Sequence, residues 1–94
     1  MTRERDALYR EVLHQVQARN WQEADARCRV LNAADHAFAP GLLLASVIAQ
    51  HLVEHERALQ FAERAVVVAP NDPSTHLRLA QCLDGLRRRP EALR

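Results

Sequence analysis

The chain reads as an all-α protein built from a repeated helical hairpin, with about five helices and a sixth cut short. Three observations predict this. A short phrase closing on alanine recurs every 34 residues: Trp21-Gln22-Glu23-Ala24, His55-Glu56-Arg57-Ala58 and Arg89-Pro90-Glu91-Ala92. A period of that size marks one supersecondary unit copied along a chain. Apolar residues fall at helical rather than alternating spacing. Finally, Ala and Leu abound while aromatics make up 4% and glycines number only 2. That balance suits helices, since strands favour β-branched and aromatic residues.

The first helix, Asp6 to Arg19, places Leu8, Val12, Leu13 and Val16 on one face. Asn20 offers an N-cap and Glu23, three residues on, completes a capping box. A second helix follows from Trp21 to about Asn32, with Ala24, Cys28 and Leu31 inward. The stretch Ala33 to Ala39 has no period. Pro40 suits the first turn of a third helix, where its missing N–H costs nothing. This helix runs to about Val53 and is apolar nearly all round, as expected of one buried on most sides. The fourth, His55 to Ala69, turns Ala58, Leu59, Ala62, Ala65 and Val66 inward and leaves Glu63 and Arg64 outside. Pro70-Asn71-Asp72-Pro73 is the strongest break in the chain, with Asp72 as cap and Pro73 at the first helical position. The fifth helix, to about Leu86, is expected to bury Leu79, Ala80 and Leu83, and to end at Gly85 and the run Arg87-Arg88-Arg89. Pro90 opens the sixth.

Composition narrows the function. Thirteen cationic residues, all arginine, against 12 acids leave a formal charge of +1. That makes no electrostatic case for nucleic acid or an anionic membrane surface. No apolar run reaches the ~20 residues of a membrane span, and the charged N-terminus leads into no signal-peptide core. A cytoplasmic protein is expected, from a bacterial source if the absence of lysine reflects a GC-rich gene. Two cysteines far apart, Cys28 and Cys82, read as buried reduced thiols. No cofactor motif is present, and two glycines cannot build a phosphate loop.

His51-Leu52-Val53-Glu54-His55 spells the H-x-x-E-H order of an inverted zinc-protease motif. The repeat register sets it across the end of the third helix and the turn into the fourth. Two ligands on one helix face are then not assured, so no catalytic metal is expected, and at most adventitious binding. The triple arginine reads as a solvated helix end that complements the C-terminal dipole.

The period and the helix pairs resemble the tetratricopeptide repeat. The resemblance is carried best by Ala58, Ala62, Ala65 and Pro70 in the second unit, and by the phrase Ala65-Val66-Val67-Val68-Ala69-Pro70-Asn71-Asp72-Pro73. Ser46 and Ala80 supply the small residues where the two helices of a unit pack closely. The first unit departs from the pattern at Val12, Leu31 and His36, which implies a looser or bent first connection and a shifted first helix. Residues 1–94 are then one domain of units at about 5–38, 39–72 and 73–94, the last incomplete. The resemblance implies a right-handed solenoid whose first helices line a concave groove for a protein or peptide partner. On this chain the groove residues are Tyr9, Arg10, Leu13, Val16, Leu43, Leu44, Val47, Gln50, His51, Leu77, Arg78 and Gln81. Of the positions that grip a peptide's C-terminal carboxylate in some members, only Arg78 fits. Leu13, Leu44 and Val47 make the groove mainly apolar.

The expected function is therefore protein–protein interaction without catalysis, by an adaptor or a chaperone-like module. The alternative is an N-terminal interaction or oligomerisation domain of a longer protein whose remainder is an enzyme such as a transferase. Homo-oligomerisation through the groove, or its burial by the first helix, are the competing fates of the apolar patch.

Overall fold

A computed structural model describes residues 2–88, which form five helices and, among the described residues, no strand. They are α1 (Thr2–Gln17), α2 (Trp21–Ala34), α3 (Ala39–His51), α4 (His55–Val68) and α5 (Pro73–Arg88). Each packs on the next, and α3 also touches α1 and α5. Two layers result, α1, α3 and α5 in one and α2 and α4 in the other. This is a stack of helical hairpins, as the period predicts. The expected sixth helix and Ala92 lie outside the described residues.

The repeat is written in the backbone. Asn20 and Arg19 donate to the carbonyls of Gln15 and Val16, closing α1. Thirty-four residues later Glu54 and Val53 donate to those of Ala49 and Gln50, closing α3. These are Schellman closures, which satisfy the last carbonyls of a helix. Both need a left-handed residue, and neither position is glycine: Arg19 has φ 60° and Val53 φ 62°. The connections between hairpins repeat too. Asp35, Phe38 and Gly41 donate to Leu31, Asp35 and Phe38, as Ala69, Asp72 and Thr75 do to Ala65, Ala69 and Asp72. The first connection is thus not looser than the second. His36 stands where Pro70 stands, yet backbone bonding closes the turn without proline.

Alternate burial follows the register. Ala24, Cys28 and Leu31 on α2 and Ala58, Ala62 and Ala65 on α4 are all buried. Opposite them lie Val12 and Ser46, each at 0% exposure. One core cluster joins Val12, Ala24, Cys28, Leu31, Ala45 and Ile48, with Leu8, Val16 and Phe38 packed against it. A second joins Ala49, Ala58, Ala62 and Cys82, with Leu59 and Leu79. In this second cluster Ser46 Oγ donates to the Ala58 carbonyl at 2.8 Å, and Cys82 Sγ lies 3.3 Å from Ser46 Oγ. Three helices meet at that carbonyl.

Three expectations are corrected. Asn20 makes no side-chain cap; its Nδ2 donates to Gln15 Oε1, and Glu23 pairs with Arg27 instead of reaching back. The Schellman closure already fixes the Asn20 backbone, so the capping box has no role there. On α5 the inward residues are Thr75 and Cys82, with Leu79 half-buried, while Ala80 and Leu83 are exposed. The Thr75 hydroxyl bonds the Ala69 and Asp72 carbonyls, which rotates that face toward α4. Gly85 does not end the helix, which continues to Arg88.

Val53 is 71% exposed, so it gains little burial for its left-handed backbone. That conformation costs a side-chain-bearing residue about 1–2 kcal/mol, and glycine's extra unfolded freedom costs about 0.5–1. Val53→Gly should therefore raise stability in urea denaturation by roughly 0.5–1 kcal/mol, with Val53→Asn also stabilising. Ala58→Leu should lower it by about 1–3 kcal/mol or more through overpacking, while Val67→Ala should change little.

Candidate functional site

The candidate site is the face shared by α1, α3 and α5. Each of these helices must bury one side against α2 or α4, which leaves its flank along the shared face. Leu13, Leu43 and Val47, which the repeat register assigns to it, are half-buried and pack into neither core cluster. Leu77 is 60% exposed and Gln81 is exposed beside it. The apolar character of the face is therefore carried by few residues.

Other residues expected to line it are already engaged. Tyr9 meets the Phe38 ring edge-to-face, with centroids 5.5 Å apart at 85°. Val16 and Leu44 pack against the first core cluster. His51, the last residue of α3, stacks flat on Trp21, at 3.8 Å and 5°. That stack ties the start of α2 to the end of α3. The Leu52–Glu54 turn then separates His51 from His55, the first residue of α4, so the two histidines share no helix. Arg10 is exposed and borders a cleft with Glu11, His14 and Arg27 between α1 and α2.

Gln50 and Arg78 come together across α3 and α5. Arg78 Nη2 donates to Gln50 Oε1 and approaches Cys82 Sγ at 3.5 Å. Sequence placed both on the groove but could not show that they bond each other, because the pairing crosses 28 residues.

The opposite layer is chemically different. Asp25 on α2 accepts from Arg29 at 3.0 Å and from Arg57 of α4 at 3.2 Å, and Arg57 also holds Glu54 at 2.6 Å. Arg57 and Arg64 lie over the Phe61 ring. Asp25, Arg29, Arg57, Phe61 and Arg64 border a cleft of about 340 Å³ that Cys28 and Asn32 also line. Burial pushes the Cys28 thiol up to about 11, and the Asp25 carboxylate adds to the effect. Such a thiol stays protonated and unreactive at neutral pH. Among the described residues no group of three or more His, Cys, Asp or Glu could hold a metal ion, and no helix is long and apolar enough to cross a membrane.

No family model matches the chain, and no curated protein matches it. Solved structures do. The type III secretion translocator chaperone SycD of Yersinia enterocolitica, in an alternative dimer, aligns with a TM-score of 0.82 and 22% identity over 94% of this chain and 67% of its own. PcrH from Pseudomonas aeruginosa aligns with a TM-score of 0.84 and 26% identity over 93% and 66%. PcrH in complex with the chaperone binding region of PopD gives 0.82 and 27% over 93% and 68%. This chain spans about two thirds of the length of those chaperones. The likeness places its helical hairpins in the same fold as theirs.

Two measurements follow from this geometry. His51→Ala should cost about 0.5–1.5 kcal/mol for the lost ring pair and red-shift emission from Trp21, the one tryptophan. Iodoacetamide at pH 8 should leave Cys28 unmodified in the folded protein, as read by peptide mass mapping, and alkylate it once urea unfolds the chain.

Proposed function

We propose that this chain is a tetratricopeptide-type interaction module, of units at about 5–38, 39–72 and 73–94, that binds an apolar segment of a partner protein on the face of α1, α3 and α5. The observation that carries this reading is the apolar set on that face: Leu13, Leu43 and Val47, half-buried yet outside both cores, and Leu77, largely exposed. An apolar side chain left outside the core along a continuous face gains free energy when a partner covers it, at about 25 cal/mol per Å². Gln50, Arg78 and Gln81 supply the polar margin that orients a bound segment. An extended strand or an amphipathic helix fits such a face.

The shape shared with PcrH, which is known in complex with the chaperone binding region of PopD, supports a chaperone-like role for the same face. The two cysteines are free and buried, in keeping with a reducing, cytoplasmic setting. No catalysis is proposed. The described residues offer a face with few titratable groups rather than an enclosed pocket.

The double variant Leu43→Glu/Val47→Glu tests the assignment. Binding of a synthetic peptide of the PopD chaperone binding region, and capture of partners from a cell extract compared by mass spectrometry, should both fall at least tenfold. Each buried carboxylate costs well over 1.4 kcal/mol, the equivalent of tenfold in affinity. Circular dichroism should show the helical content unchanged. Undiminished capture by a folded double variant would remove the face from consideration.

A further inference from the structure

Among the described residues four arginines are half-buried: Arg5, Arg27, Arg57 and Arg78. Three of them hold two carboxylates each. Arg5 takes Asp6 and Asp35, Arg27 takes Glu11 and Glu23, and Arg57 takes Asp25 and Glu54. Arg78 takes none among the described residues. Its Nη2 is held by two neutral groups, Gln50 Oε1 and Cys82 Sγ. Its Nε is shut off from solvent and has no acceptor.

A guanidinium cannot shed its charge, and a charge taken from water without a counter-charge is costly. Among the described residues the other half-buried arginines are neutralised and this one is left open, on the face proposed for binding. The low-dielectric surroundings strengthen any ion pair formed there. The guanidinium fork matches a carboxylate, and Gln50 already fixes its direction, so little freedom is left to lose.

We infer that Arg78 is a specificity-determining residue of this face, which receives an Asp or Glu side chain carried by the partner segment beside its apolar residues. This rests on the binding role proposed above. The carboxylate belongs to a side chain rather than to a chain terminus, because a terminus requires further polar donors. At the register positions that would supply them stand Leu13, Leu44 and Val47.

Random linear peptides displayed on phage and selected on the folded protein provide the test. The wild type should enrich apolar sequences with an acid at a fixed offset. Arg78→Gln should keep the apolar preference and lose the acid. Arg78→Glu should replace it with Lys or Arg at the same offset, and Arg78→Lys should keep it. With a synthetic peptide of the enriched sequence, Glu→Gln should weaken binding about tenfold on the wild type and leave Arg78→Gln unaffected, the two changes failing to add. Apolar peptides without an acid, or an acid preference that survives Arg78→Gln, overturn the inference while the binding role stands. Binding that is lost on C-terminal amidation but not on Glu→Gln overturns it in favour of a chain terminus. Selection that yields no binder, or binders retained by Leu43→Glu/Val47→Glu, overturns the binding role and this inference together.

Discussion

The hairpins can close only because Ala24 and Ala58 offer a single methyl group at the point of closest approach. Both are buried, at 0% and 2% exposure, against Val12 and Ser46 in the same register of the preceding helix. A larger side chain there would force the helices apart, since protein interiors have no slack for an added methylene. The distance between the layers, and with it the placement of α1, α3 and α5, depends on this contact. Ser46 adds a directional element, because its hydroxyl finds the Ala58 carbonyl and the Cys82 thiol where no water reaches. The two halves differ in how they gain stability. The bulkiest buried side chains, Leu31, Leu42, Ile48 and Val12, all belong to the first three helices. The contact between α4 and α5 relies on buried alanine and cysteine with Leu59 and Leu79 only half-buried, which bury less apolar area per residue.

The two layers divide the chemistry. On α2 and α4, arginines and acids form a shared lattice around Asp25 and Phe61 that links successive hairpins. Each exposed pair contributes little by itself. The face of α1, α3 and α5 has the reverse character: half-buried aliphatic side chains and one guanidinium held only by neutral partners. Among the described residues, the second face combines apolar side chains outside both cores with a half-buried guanidinium that holds no carboxylate.

Much of this was legible in the residues. The 34-residue period, the order of the helices, the buried set on α2 and the three buried alanines of α4 follow from spacing, because local periodicity and hairpin packing agree, whereas the start of α1 and the end of α5 do not. The capping box at Asn20 misled because a Schellman closure, invisible to residue type when Arg or Val takes the left-handed position, had already fixed that turn. Ala80 and Leu83 looked inward because their spacing is helical. The rotation of α5 was decided by Thr75 bonding two carbonyls of the preceding turn. On the candidate face, the half-buried Leu43 and Val47 follow from the repeat register. The Trp21–His51 stack and the Gln50–Arg78 bond do not, since pairing at long range depends on how one hairpin is set on the next.

The backbone bonds that close the helices recur at a fixed offset while the residues that make them change, from Arg19 to Val53 and from Asp35 to Ala69. The stacking of the hairpins thus rests on main-chain geometry and on a few buried alanines, none of which belongs to the proposed binding face. Shape and selectivity are therefore separable, and they can evolve or be engineered as independent variables. On the proposed binding face, substitutions at Leu13, Leu43, Val47, Leu77 or Arg78 would change selectivity without moving the scaffold that presents them. A lineage carrying such a scaffold can follow a changing partner by altering a handful of side chains, and its sequence can drift until only the architecture still shows the kinship.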